Sequence, residues 1–161
     1  MKKLTDLGLS DNTLVIFSSD NGHVLDDGYQ DSAVEKLGDH TPWGPFRGGK
    51  YSLLDAGTHV PYILRWPAKV KPQISNAFVA QHDLLASLAA LTGQESNSID
   101  SENQLNALMG LDKVGRHSMI VQGMQNTLAY HQDGWVYIPP HKGKGYAVRV
   151  GNESGFSKQE Q

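Results

Sequence analysis

Residues 12–22 read NTLVIFSSDNG, and this stretch decides the fold of the chain. Its first part, Thr13 to Ser19, is rich in β-branched and aromatic residues, which is typical of an interior strand. Asp20 and Asn21 follow directly, so the strand ends on a carboxylate beside an amide. Oxygen ligands of this kind suit a hard divalent cation. The stretch therefore predicts a buried strand with a cation site at its end.

A second segment, FRGGK at residues 46–50, places one ammonium group after a pair of glycines. Gly48 and Gly49 allow the backbone to approach another group closely. Lys50 could then meet an anion next to the cation that Asp20 and Asn21 would hold. The two segments together predict a site for an oxyanion ester.

Composition excludes several classes of protein. The chain has 161 residues, with 39% hydrophobic and 19% charged residues, a balance ordinary for one globular domain. The net charge is -3 and the lysines form no basic block, so we expect neither a nucleic-acid partner nor a membrane partner. Because the chain has no cysteine, disulfides, thiolate metal sites and a cysteine nucleophile are excluded. The first residues lack the apolar stretch of a signal peptide, which leaves the compartment open.

Hydrophobic periodicity predicts α/β structure first and a small antiparallel sheet afterwards. The predicted helices cover residues 1–8, 79–92 and 104–109, and the helix at 79–92 carries an apolar stripe of leucines. A long polar, glycine-rich loop covers 22–50. Asp133-Gly134 is a strong hairpin signal. The predicted strands cover residues 13–19, 59–66, 119–121, 127–131, 135–138 and 146–150.

Four blocks of this sequence match one family. NTLVIFSSDNG, GPFRGGKYSLLDAGTHVPYILRWP, AQHDLLASLAALTGQ and DGWVYI resemble, in order and spacing, the C-terminal half of type I sulfatases of the arylsulfatase kind. These enzymes belong to the alkaline-phosphatase-like superfamily. The resemblance implies that residues 1–110 form the C-terminal portion of the α/β catalytic domain. Residues 111–150 would then form a small antiparallel β subdomain and residues 151–161 a flexible tail.

The resemblance also implies roles for single residues. Asp20 and Asn21 correspond to two ligands of the single calcium ion of the family, and Lys50 corresponds to the lysine that contacts the sulfate of the substrate. His40, in the long loop, is a candidate from its own chemistry, because a histidine there could contact substrate or donate a proton to the leaving group.

Departures from the family pattern are as informative as the matches. The family's nucleophile is a formylglycine made within a C/S-x-P-S/A-x-R motif, and no such motif occurs in these residues. The remaining calcium ligands and further sulfate-binding residues of the family are absent as well. Asp55 and His59 stand where the wider family often has glutamate and arginine, and Ala56 replaces a frequent glycine.

The function predicted from these observations is that of a C-terminal fragment of a sulfatase. It would carry part of the calcium and sulfate site and be inactive alone, because a binding site without its nucleophile loses the covalent route. The expected partners are a sulfate ester, such as a sulfated carbohydrate, and either the missing N-terminal half or a second copy. The resemblance is compatible with a periplasmic or secreted parent. Two alternatives stay open: a non-catalytic sulfatase-like binding module, and a phosphatase or phosphodiesterase of the same superfamily.

Overall fold

The computed structural model describes residues 1–25 and 29–140. Strands β1 and β2 form a two-stranded sheet, and β3, β4 and β5 form a three-stranded sheet in that order. A 3-10 turn at Met124–Asn126 joins β3 to β4. The elements in chain order are α1 (Lys2–Asp6), β1 (Val15–Ser18), α2 (Asp55–Thr58), β2 (Tyr62–Arg65), α3 (Asp83–Leu91), α4 (Leu105–Leu108), β3 (Ser118–Gln122), β4 (Leu128–Gln132) and β5 (Trp135–Tyr137).

The chain forms two compact units, and each consists of two segments that are separated along the sequence. The first unit consists of Met1–Phe17 and Ile63–His117, and the second of Ser18–Tyr62 and Ser118–Gln161. The division into residues 1–110, 111–150 and 151–161 stays a prediction. No described helix is long and apolar enough to cross a bilayer.

In the first unit, the buried face of α3 carries two polar side chains. The Asp83 carboxylate is fully buried, accepts hydrogen bonds from the backbone N–H groups of Ala80 (3.1 Å) and Glu102 (2.9 Å), and pairs with the Arg116 guanidinium. Ser87, also fully buried, accepts a hydrogen bond from a backbone N–H of the segment that follows. Because buried polar groups need partners, these contacts hold residues 98–104 against the helix.

The predicted helix at 79–92 exists but begins later, at Asp83. Its apolar stripe of leucines is only partly buried: Leu84 and Leu91 are half-buried, whereas the other two are exposed. Leu85 is 61% exposed and Leu88 is 37% exposed, whereas Asp83, Ala86 and Ser87 are buried. The helix ends as predicted, because Gly93 follows with a positive φ of 73°, a conformation that glycine adopts without strain.

In the second unit, the hairpin prediction is confirmed. Asp133 and Gly134 have φ values of 48° and 83°, as a type I′ turn requires, and they join β4 to β5 with Gln132 opposite Trp135. The sheet packs one face on Leu53, which forms a buried cluster with Val121 and Ala129. The predicted strand at 146–150 and the tail at 151–161 lie outside the described residues.

Candidate active site

The site lies in the second unit, where β1 ends. The Ser18 hydroxyl donates a hydrogen bond to the carbonyl oxygen of Pro61 (2.8 Å), and the Ser19 hydroxyl donates one to the carbonyl oxygen of Asn21 (3.0 Å). The Gly22 N–H then donates to the carbonyl oxygen of Gly57 in α2 (2.8 Å). These bonds fix the turn that carries Asp20 and Asn21, which we call the DNG turn (residues 20–22).

The DNG turn presents two oxygen-bearing side chains. Asp20 is exposed, and its carboxylate makes no hydrogen bond within the part of the chain that the structure describes. The Asn21 Nδ2 donates to the carbonyl oxygen of Gly22 (2.8 Å), which leaves Oδ1 available as a ligand. Calcium takes about 6–8 oxygen ligands, so these residues fit part of a calcium shell. Residues 1–25 and 29–140 contain no cluster of three or more His, Asp or Glu side chains that could hold a metal by itself.

Glycines let the DNG turn, α2 and the segment at 46–50 touch through backbone atoms. A Cβ on Gly22 would lie 1.8 Å from the carbonyl oxygen of Ala56. A Cβ on Gly57 would lie 2.5 Å from the carbonyl oxygen of Gly49. Since real Cβ atoms keep at least 3.0 Å from such neighbours, no other residue fits at these two positions without displacing backbone.

Lys50 occupies a turn at residues 49–52, which we call the lysine turn. Its N–H donates to the carbonyl oxygen of His23 (2.8 Å), only three residues beyond Asp20. The Nζ atom lies 5.3 Å from the centroid of the Tyr51 ring, within cation–π range. Tyr51 has a φ of +76°, which is a genuine outlier for a bulky residue. The structure therefore ties the lysine turn to the chain that follows the DNG turn.

His23 is the site residue that sequence reasoning missed. Its ring lies 5.6 Å from the Trp43 ring, centroid to centroid, and both ring nitrogens are buried without a hydrogen-bond partner in the described part of the chain. Burial lowers the pKa of His23 below its ordinary value of 6.5, so the neutral imidazole is favoured. Its position directly after the DNG turn is a local signal, whereas its contact with Lys50 joins residues 27 positions apart along the chain.

The structure does not bring His40 to the other candidates. The side chain is exposed, and no hydrogen bond or ring contact joins it to Asp20 or Lys50 within the described ranges. Its backbone N–H donates to the carbonyl oxygen of Leu37 (3.2 Å). His59, one of the departures from the family pattern, stacks on Phe46 with ring centroids 4.4 Å apart.

Comparison with known proteins identifies the family. Residues 1–94 match the model of the sulfatase family. The chain is 52% identical over 143 residues to an N-acetylgalactosamine-6-O-sulfatase of Bacteroides thetaiotaomicron, a match that covers 87% of this chain and 28% of the relative. It is 33% identical over 139 residues to the human N-acetylgalactosamine-6-sulfatase, covering 82% of this chain and 25% of that protein.

A solved structure supports the same family assignment. It is described under the metabolism of multiple glycosaminoglycans by Bacteroides thetaiotaomicron, and it superposes with a TM-score of 0.86 at 46% identity, covering 98% of this chain and 34% of that one. The chain thus spans about a third or less of the length of these relatives. The predicted fold class, the C-terminal part of an alkaline-phosphatase-like sulfatase fold with a small antiparallel sheet, is confirmed. By sequence and by structure, the chain belongs to the sulfatase family.

Proposed function

We propose that this chain contributes one part of the active site of a sulfatase, and that residues outside these 161 supply the nucleophile. The observation that carries the proposal is the backbone hydrogen bond from the Lys50 N–H to the carbonyl oxygen of His23, which links the lysine turn to the residue directly after the DNG turn. A pair of cation ligands and an ammonium group on connected segments suit an ester with a dispersed negative charge. The uncommitted oxygens of Asp20 and Asn21 support the same assignment.

Each of the three residues has a distinct role in this proposal. Asp20 and Asn21 supply two oxygens of a calcium shell whose other ligands come from outside the chain. When bound, the ion would supply charge stabilisation to a sulfate ester. Lys50 places its ammonium group against a sulfate oxygen and stabilises the charge that develops there. His40 is proposed only as a loop residue that reaches substrate when the complete site is assembled.

The proposed substrate is a sulfated carbohydrate, and 6-O-sulfated N-acetylgalactosamine is the first to test. Two of the relatives are named as sulfatases of that sugar. Fold alone does not determine specificity, so this choice rests on the names of the relatives.

The proposed partner of the chain is the remainder of a sulfatase. An uncovered row of side chains supports this proposal: Ile120, Tyr130 and Tyr137 lie directly opposite one another on three neighbouring strands and are 65%, 39% and 62% exposed. Contiguous apolar surface of this kind marks an interface or leads to association. We therefore expect the isolated chain to self-associate in sedimentation experiments. A strictly monomeric chain would contradict this expectation.

Complementation tests the function. The segment of the Bacteroides thetaiotaomicron relative that precedes the matched region is joined to this chain, and sulfate release from 6-O-sulfated N-acetylgalactosamine is measured with calcium and with a chelator. We expect calcium-dependent turnover from this completed enzyme and none from the isolated chain on the same sugar or on a chromogenic sulfate ester. Turnover by the isolated chain would overturn the proposal that the nucleophile lies elsewhere. An inactive, correctly folded completed enzyme would favour a non-catalytic module.

Substitution of Lys50 tests its role in that completed enzyme. Lys50→Ala should reduce kcat by about 100- to 1000-fold, as removal of one preorganised oxyanion contact does. Lys36→Ala is the matched control, because Lys36 is an exposed lysine of the same unit. A rate for Lys50→Ala equal to that of the control would remove Lys50 from the site.

A further inference from the structure

We propose that His23 is a positioning residue for Lys50, and that the shape of its imidazole ring holds the lysine turn in place. The inference deepens the proposed function and rests on it for what Lys50 does. The placement of Lys50 by His23 stands on contacts within the second unit alone.

The backbone of the lysine turn is held at three points. The Lys50 N–H donates to the carbonyl oxygen of His23 (2.8 Å), and the Ser52 N–H donates to the carbonyl oxygen of Gly49 (3.0 Å). The carbonyl oxygen of Tyr51 accepts a hydrogen bond from the N–H of Met124 (2.9 Å). Only the first of these bonds joins the turn to the chain that leaves the DNG turn.

The His23 ring fills the space beside the turn. A Cβ on Gly49 would lie 3.0 Å from the carbonyl oxygen of His23 and 3.1 Å from both Cε1 and Nε2 of its ring. The Trp43 ring also contacts this imidazole, at 5.6 Å between centroids and an interplanar angle of 46°. The ring is therefore packed against two neighbours, and one of them is the residue immediately before Lys50.

The conformation of the turn needs such support. Tyr51 has a φ of +76°, and a bulky residue persists in this region only where its surroundings hold it. If the His23 ring is removed, the turn can relax toward an unstrained conformation, and Lys50 moves with it. The ring acts here through its shape, because neither ring nitrogen has a hydrogen-bond partner among the described residues.

Amide hydrogen exchange in the isolated chain tests the placement. His23→Ala should accelerate exchange of the Lys50 amide by about tenfold or more, since local opening removes protection. The Gly123 amide, which donates to the carbonyl oxygen of Thr127 in the same unit, should keep its wild-type rate. His23→Phe, which keeps a ring and removes both nitrogens, should restore most of the protection of Lys50. Unchanged exchange of Lys50 in His23→Ala would overturn the proposal, and so would a His23→Phe variant that behaves like His23→Ala.

A double-mutant cycle in the completed enzyme separates positioning from a general structural role. If His23 acts through Lys50, the His23→Ala/Lys50→Ala double variant should have the kcat/KM of Lys50→Ala alone. Multiplicative losses would show that His23 acts independently of Lys50 and would overturn the proposal. If the wild-type completed enzyme is inactive, the proposed function fails, and the exchange experiment still decides the placement of Lys50.

Discussion

Replacing Gly22 with alanine would add a methyl group in space that backbone atoms of α2 already occupy. The new Cβ would lie 1.8 Å from the carbonyl oxygen of Ala56, so the DNG turn and α2 must separate by more than an ångström. Overpacking of this kind costs about 1–3 kcal/mol. Loss of the hydrogen bond from Gly22 to Gly57 adds about 1 kcal/mol. We expect the free energy of unfolding of the second unit to fall by about 2–4 kcal/mol.

Urea titration measures this change, and a second glycine provides the control. Gly38 has a φ of +58° and nothing within 4 Å of a Cβ built on it. Gly38→Ala should therefore cost only the strain of a left-handed backbone, about 1–2 kcal/mol. It should leave unchanged the binding of added Mn²⁺ at Asp20, where Mn²⁺ serves as a probe for calcium. Gly22→Ala should lower the free energy of unfolding and also weaken Mn²⁺ binding. If Gly22→Ala stays within about 0.5 kcal/mol of wild type, the value typical of surface substitutions, the close contact that we describe is refuted.

Two further predictions concern buried polar groups. Arg116→Met leaves the fully buried Asp83 carboxylate without its cation and should lower the free energy of unfolding by about 3–5 kcal/mol. Glu102→Gln alters a half-exposed partner of the same guanidinium and should cost at most about 1 kcal/mol. Equal losses for Arg116→Met and Glu102→Gln in urea titrations would refute the buried ion pair as the stabilising contact. The second prediction concerns Tyr62, whose hydroxyl is buried and has no hydrogen-bond partner among the described residues. Burial raises the pKa of Tyr62 from 10.0 to about 12. Between pH 10 and about 12 the folded state keeps a proton that the unfolded state releases, so the free energy of unfolding of the wild type should fall across this range. Tyr62→Phe lacks the titrating hydroxyl and should lose this part of the pH dependence. Identical pH profiles for the two proteins would contradict the prediction.

The elements that the sequence predicts well are those with a local cause. The type I′ turn at Asp133 and Gly134 follows from two residues that tolerate positive φ, and it sets the register of β4 and β5. The end of β1 before Asp20 follows from the change from apolar to polar residues. Helix α2 was not predicted, because four residues are too few for a periodic pattern.

The features that were missed depend on contacts between distant residues. The Asp83 carboxylate is the buried centre of an ion pair with Arg116, 33 positions away, and no local pattern in the sequence indicates this partner. The buried side of α3 therefore carries two polar side chains, Asp83 and Ser87, which the leucine stripe does not indicate. His40 was the histidine named as a candidate, and only the fold shows that the carbonyl oxygen of His23 accepts a hydrogen bond from the Lys50 N–H.

The central claim is that Asp20, Asn21 and Lys50 form one site. Mn²⁺ prefers the same oxygen ligands as calcium and broadens the NMR signals of nearby nuclei, so a titration of the isolated chain with MnCl₂ tests the claim most directly. We expect Lys50 and His23 to be among the first residues broadened, and Asp20→Ala to abolish that effect. Broadening that spares Lys50, or that survives Asp20→Ala unchanged, would contradict the account.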